Sequence, residues 1–156
     1  MKKGLLVLIA TFLIVIQISG CKGKPKEPVF DPSKVVSNLQ GGVVDVFEPK
    51  TSKMTDEIRA AGWAYDPQKK IPSKAVVIVR EGKPLHIKPK MEVERRDVAQ
   101  ALNTEALVKS GWNTTFKANV LGKGNHRLEF YALLENGTFV PLTVDGKTFC
   151  GIEILD

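Results

Sequence analysis

Residues that commonly bind metal ions are scarce in this sequence. It contains two histidines, His86 and His126, and two cysteines, Cys21 and Cys150, among 156 residues. The histidines lie on separate predicted turns, and neither has a second nitrogen or sulfur ligand at the spacing that zinc sites use. We therefore expect no zinc site, and nothing in the sequence predicts a cofactor.

Catalytic motifs are also missing. The sequence has no Gly-x-Ser-x-Gly turn and no recognisable pattern of nucleophile, histidine base and orienting carboxylate. Gly122 and Gly124 are followed by a predicted strand, whereas a phosphate-binding glycine loop leads into the N-terminus of a helix. These absences predict that the protein is not an enzyme. An accessory or hydrolytic enzyme with an unrecognised site is the alternative.

The sequence lacks the basic clusters with interleaved aromatic residues that are typical of nucleic-acid-binding proteins. Its formal net charge is +6, but five of the lysines lie within the first 26 residues. The rest of the chain is therefore close to neutral. We expect no nucleic-acid partner.

One long apolar run is present, over residues 4–20, and it follows Lys2 and Lys3. A basic start, an apolar core and small residues at the end are the three parts of an export signal. Ser19 and Gly20 supply the small residues and favour cleavage after Gly20. An ordinary signal peptide or an uncleaved transmembrane anchor is the alternative, because the run is close to the shortest that crosses a bilayer.

The residues Ile18-Ser19-Gly20-Cys21 resemble the lipobox of bacterial lipoproteins, an aliphatic residue followed by two small residues and a cysteine. This resemblance implies that Cys21 carries a fatty acid such as palmitate on its thiol, becomes the mature N-terminus and is acylated again on its amine. The lipid bilayer is then a partner of the exported protein. Lys22 stands where family members retained at the inner membrane tend to have aspartate, which favours the outer membrane. Cys150 would have no disulfide partner, and we expect a buried thiol.

Composition divides the chain into three parts. Residues 1–20 form the predicted signal peptide. Residues 21–40 have several lysines and prolines but few large apolar residues, so we expect a disordered tether with a reach of roughly 25 Å. Its lysines would lie where anionic headgroups attract them. Residues 41–156 are long enough for one folded domain.

Short strands and turns dominate residues 41–156. The sequences Asn136-Gly137 and Asp145-Gly146 predict tight turns between strands. Together, the strands predict an all-β protein, an immunoglobulin-like antiparallel β-sandwich of seven to eight strands with one short helical turn. The strands are expected at residues 42–47, 74–80, 85–87, 114–121, 128–134, 138–144 and 148–155.

Two further segments need a choice between helix and strand. Residues 55–61 contain good helix formers after a plausible cap, so a short helix ending at Gly62 is one interpretation. We predict a strand over residues 57–65 instead, because seven residues make a marginal helix. Residues 97–102 predict one helical turn that crosses between the sheets, with Asp97 as its N-cap.

Several short motifs follow one another along residues 57–142: Gly62-Trp63-Ala64, the aliphatic residues 76–79, Arg95-Arg96-Asp97-Val98, Ser110-Gly111-Trp112 and Gly124-Asn125-His126. In this order they are similar to a β-sandwich module found in bacterial envelope and glycan-related membrane proteins. Arg96 departs from the pattern, which has proline there. The resemblance implies a fold and a cellular setting, and it identifies no catalytic residue in this chain.

Three aromatic residues are candidates for holding a sugar ring: Trp63, Tyr65 and Trp112. Trp63 and Tyr65 would share one strand face and could form a stacking platform. The alternative is that the tryptophans pack in the core, as large aromatics do in such folds. Arg95 and Asp97 could likewise either contact a ligand or form a structural ion pair with each other.

Two classes of function fit these observations. In the first, a non-catalytic envelope lipoprotein uses its sandwich to bind a protein partner or cell-wall glycan. In the second, the chain is an envelope enzyme or enzyme accessory with a concave pocket of convergent titratable groups. An exposed aromatic strip would favour glycan binding, and an apolar patch would favour protein docking.

Overall fold

The computed structural model describes residues 29–156, so the predicted signal peptide, Cys21 and the first part of the predicted tether lie outside the described residues. Over residues 29–156 the protein is all-β, with twelve strands and one α-helix, α1 (Arg96–Ala101). No helix in this part of the chain is long and apolar enough to span a membrane. The strands are β1 (Gly42–Glu48), β2 (Thr51–Lys53), β3 (Glu57–Asp66), β4 (Ile71–Pro72), β5 (Ala75–Arg80), β6 (Lys83–Pro84), β7 (Lys90–Val93), β8 (Gly111–Lys117), β9 (Gly124–Leu133), β10 (Phe139–Pro141), β11 (Thr143–Val144) and β12 (Cys150–Leu155).

The strands form two sheets that pack into a sandwich. Sheet 1 has the order β11–β1–β3–β8–β7, with β4 paired to the end of β3. Sheet 2 has the order β2–β12–β9–β5–β6, with β10 also paired to β9. The strands of four or more residues give β1–β3–β8–β7 facing β12–β9–β5, which is the strand order of an immunoglobulin constant-type domain. The predicted all-β sandwich and its one short helical turn are therefore confirmed.

Two strand pairs are parallel, whereas the prediction was an antiparallel sandwich. Val43 of β1 lies opposite Thr143 of β11, and Glu153 of β12 lies opposite Thr51 of β2. Both pairs arise because residues 42–53 are divided between the sheets, with β1 in sheet 1 and β2 in sheet 2. β1 then lies beside β11, β2 lies beside β12, and each runs in the same direction as its neighbour.

The core between the sheets is built from alternate residues of the long strands. On β9, Leu128, Phe130 and Ala132 are fully buried, as their period-two pattern predicts. The ring of Trp112 from sheet 1 stacks on Phe130 from sheet 2, with 5.9 Å between the ring centroids. Truncation of a buried aromatic side chain of this kind lowers the free energy of unfolding by about 3–5 kcal/mol. This contact therefore contributes strongly to holding the two sheets together.

Residues 57–66 form strand β3 and not a helix, which confirms the prediction for residues 57–65. Their burial alternates along the strand, with Ile58 and Ala60 inside. β3 is paired on both sides, to β1 and to β8, so its backbone groups are satisfied by neighbouring strands. The tertiary environment thus outweighs the local preference for helix.

Three predicted strands differ from the structure. The strand expected at residues 138–144 is divided into β10 in sheet 2 and β11 in sheet 1. The return strand expected at residues 85–87 is instead the two-residue β6 (Lys83–Pro84). The Leu85 N–H still donates to the Ile78 carbonyl, but the chain then turns, with the Ile87 N–H donating to the Leu85 carbonyl. The strand expected at residues 114–121 is displaced toward the N-terminus: β8 ends at Lys117 and a 3-10 turn follows at Ala118–Val120. Ala118 of this turn is fully buried, so its apolar side chain is accommodated without strand pairing.

Both predicted tight turns are present. Gly137 has a φ of +82°, and Leu134 closes the hairpin by donating its N–H to the Thr138 carbonyl. Asp145 and Gly146 both have positive φ, the combination that a two-residue type I′ turn requires. These turns connect β9 to β10 and β11 to β12.

Residues 30–41 pack on the sandwich, whereas the sequence predicted a disordered tether up to residue 40 and a domain that starts at residue 41. We call them the N-terminal strap. Phe30 is only 9% exposed, and its ring centroid lies 5.0 Å from those of Tyr131 and Phe139. Local composition does not reveal this packing, because Phe30 buries its surface against strands that are distant along the chain.

We expect Phe30→Ala to lower the free energy of unfolding by about 3 kcal/mol, because it removes a buried aromatic ring from the outer face of sheet 2. Urea unfolding followed by tryptophan fluorescence would measure this change. Val29→Ala is the matched control, since Val29 is 84% exposed and should be nearly neutral. Equal stability of the two variants would show that the strap does not contribute to the fold.

Candidate functional site

The connection from β7 to β8 folds across the outer face of sheet 1. We call residues 95–109 the helical crossing; it contains α1 and the 3-10 turn Glu105–Lys109. Its buried side chains Val98, Ala99 and Leu107 form a second apolar cluster outside the main core. The predicted helical turn at residues 97–102 is therefore present, but the prediction that it crosses between the sheets is wrong. It joins two neighbouring strands of sheet 1 and covers the outer face of that sheet.

Trp63 and Tyr65 lie beneath this crossing. They share the outer face of β3, as predicted, and their ring centroids are 5.4 Å apart with the ring planes inclined by 43°. Both are partly buried and pack against the apolar cluster of the crossing. The two rings thus form the floor on which the crossing rests.

Trp112 lies in the main core. Its side chain is 1% exposed, and its indole N–H has no hydrogen-bond partner among the described residues. It is directly opposite Gly62 on the inner face of sheet 1. The structure therefore removes Trp112 from the candidate surface aromatics, because a sugar ring could not reach it.

Arg95 ties the crossing to sheet 1. Its guanidinium donates two hydrogen bonds to the Asp97 carboxylate, at 2.9 and 2.7 Å, and a third to Asp45 of β1, at 2.5 Å. The hydrogen bonds from Arg95 lower the pKa of the Asp97 carboxyl to about 2. The same hydrogen bonds to Asp97 raise the pKa of Arg95. The structural ion pair is thus the arrangement that these two residues adopt.

Asp97 is not the N-cap of α1. That position is held by Arg95, and Asp97 lies in the first turn of the helix. A carboxylate there is favourable because the N-terminal end of a helix carries partial positive charge. The prediction placed the helix start too late because Asp97 is a typical capping residue, whereas here its side chain bonds to Arg95.

Gly111 allows the crossing to approach the sheet closely. A Cβ atom at this position would lie 2.5 Å from the Val93 carbonyl oxygen and 2.8 Å from Cγ of Arg95. Both distances are too short for a side chain, so Arg95 can pass over β8 only where glycine stands. This contact gives a physical reason for the Ser110-Gly111-Trp112 motif.

A groove of about 610 Å³ opens beside the crossing. Its walls come from β4 and the two residues after it, from β7, and from the 3-10 turn of the crossing. The apolar part of its lining consists of Pro72, Met91, Ala106 and Val108. Ser73 also lines it, 8% exposed, and its hydroxyl has no partner within residues 29–156. The volume lies within the range of small-ligand pockets.

Four charged side chains also line this groove: Lys74, Glu92, Glu105 and Lys109. None of them forms a hydrogen bond or ion pair within the described part of the chain. Apart from Glu153, every other carboxylate side chain described there has such a partner. Sequence reasoning missed this site because its walls come from three segments that are distant along the chain.

Three other titratable side chains are buried or partly buried, and they do not lie together in one site. Asp66 accepts hydrogen bonds from the backbone N–H groups of Gln68 and Lys69, which makes it a turn residue. Cys150 is buried as expected, and burial raises the pKa of its thiol to about 12. His126 shares a hydrogen bond between Nε2 and the Gly122 carbonyl, at 2.9 Å. Within residues 29–156 no group of three potential metal ligands comes together.

No family model matches this chain, and no curated protein sequence matches it. Among solved structures, it is similar to the X-ray structure of the endo-beta-1,4-mannanase from Thermotoga petrophila, with a TM-score of 0.42 and 8% sequence identity. The similarity covers 76% of this chain and 20% of that chain, so this chain spans about a fifth of the length of the mannanase structure. A likeness this weak assigns no activity.

We expect the ion pair of Arg95 to stabilise the fold in a pH-dependent way. Because the pKa of Asp97 is depressed in the folded state, its contribution is present above the ordinary carboxyl pKa and is lost as the pH falls through about 2. Asp97→Asn should therefore lower the melting temperature at pH 7 and have little effect at pH 2. Circular dichroism melts at both values would measure the difference.

Glu153→Gln is the matched control for this experiment, since the Glu153 side chain has no partner among the described residues. It should change the melting temperature little at either pH. Arg95→Ala should cost about 1–2 kcal/mol at pH 7, because it removes both ion pairs and the packing of its aliphatic stem. A destabilisation by Asp97→Asn that is the same at pH 2 and pH 7 would contradict the assignment.

Proposed function

We propose that this protein is an exported lipoprotein of the bacterial envelope whose β-sandwich is a non-catalytic binding module. The observation that carries the proposal is the Ile18-Ser19-Gly20-Cys21 motif at the end of the apolar run, ahead of a sandwich domain. Acyl chains on Cys21 would hold the protein stably, since each buried methylene contributes about 0.8 kcal/mol and two chains suffice. In a cell with two membranes, Lys22 favours the outer membrane.

We infer that the binding partner is a protein rather than a cell-wall glycan. A glycan platform needs exposed aromatic faces. Of the three candidate rings, Trp112 is in the core, and Trp63 and Tyr65 are partly buried under the crossing. The groove instead combines aliphatic side chains with unpaired charges of both signs, a lining that suits a polypeptide segment.

The lipid anchor is tested by metabolic labelling with a fatty acid that carries a click-reactive group. We expect the full-length protein to incorporate the label and Cys21→Ser to lose it, because the thiol is the acceptor. Cys150→Ser is the matched control and should keep the label, since that thiol is buried. Normal membrane retention and maturation of Cys21→Ser would defeat the proposal.

The binding role of the groove is tested by photocrosslinking in cells. A photoreactive amino acid replaces Ala106, which is exposed and lines the groove, or Lys147, an exposed residue of the β11–β12 turn. We expect a discrete protein adduct from position 106 and none from position 147. Adducts of equal intensity at both positions, or glycan recovered without protein, would argue against a protein partner at this site.

A further inference from the structure

The N-terminal strap fixes the point at which the chain from Cys21 reaches the folded domain. Phe30 packs with Val77, Val79 and Phe139 on the outer face of sheet 2. Val29, directly before it, is exposed. The described chain therefore begins on this face of the domain.

The helical crossing lies on the opposite side of the molecule. From one side to the other the layers are the strap, sheet 2, sheet 1 and the crossing. Packed sheets are separated by about 10 Å, and a helical layer adds a similar distance. The exposed side of α1 is therefore roughly 20 Å beyond sheet 2.

The chain between Cys21 and Phe30 is too short to pass around the domain. It spans nine residue steps, which reach at most about 30 Å whatever conformation they adopt. A domain of this size has a radius of gyration of about 14 Å, and half the circumference of the equivalent sphere is roughly 55 Å. A lipid attached at Cys21 must therefore lie on the strap side.

We propose that the outer face of sheet 2, where the strap enters, faces the lipid headgroups, and that the helical crossing faces away from the membrane. This orientation rests on the acylation of Cys21 proposed above. Lys22, Lys24 and Lys26 lie in the connecting segment, so anionic headgroups would attract it and shorten the gap further. The part of the groove wall that the crossing forms then faces the aqueous compartment, where partners can reach it.

Fluorescence quenching in vesicles tests this orientation. The full-length acylated protein is labelled at Lys34→Cys in the strap or at Gln100→Cys on the exposed side of α1. It is then reconstituted into phosphatidylethanolamine–phosphatidylglycerol vesicles that contain a headgroup-quencher lipid. We expect at least about twofold stronger quenching at position 34, because the two labels differ by roughly 20 Å in height. Equal quenching, or stronger quenching at position 100, would overturn the proposal.

A variant with about 20 Gly/Ser residues inserted between Pro28 and Val29 is the control, because its longer reach no longer restricts the orientation. Its two labels should be quenched to similar extents. A difference that persists with the insertion would refute tether length as the cause. Failure of the acylation reaction or of vesicle binding would instead count against the lipoprotein assignment, so the two proposals fail in different ways.

Discussion

Trp112 of sheet 1 and Phe130 of sheet 2 stack on each other between the two sheets. This contact determines which residues of each strand point toward the core and which point outward. Side chains alternate along a strand, and directly paired residues share a face. Because Trp112 points inward opposite Gly62, the neighbouring Trp63 must point outward. The outer aromatic pair, the crossing that packs on it and the groove beside that crossing all depend on this register. A shift of one residue would exchange the inner and outer sets.

The sandwich also has both outer faces partly covered by segments that are not strands. The strap closes an apolar patch on sheet 2, and the crossing closes one on sheet 1. The sheet edges are protected as well: β6 ends in Pro84, and β7 is bulged at Glu92, which has positive φ. Such edges resist pairing with another strand.

The strands were largely predictable because their apolar residues repeat with a period of two, as in Leu128, Phe130 and Ala132. The candidate site was not. Its residues Pro72, Met91 and Val108 lie on segments that are ordinary in isolation, and only the fold brings them into one groove. Phe30 was misassigned to the tether for a similar reason, since its partners Tyr131 and Phe139 are about a hundred positions away in the chain.

The sequence by itself determined the class of fold, the position of most strands, the two tight turns and the expectation of an acylated Cys21, because each depends on residues that are close together in the chain. Only the tertiary structure decided that Trp112 is core, that Trp63 and Tyr65 support the crossing, and that the strap belongs to the domain. These outcomes depend on which distant surfaces meet, and burial between distant segments leaves no local pattern in the sequence.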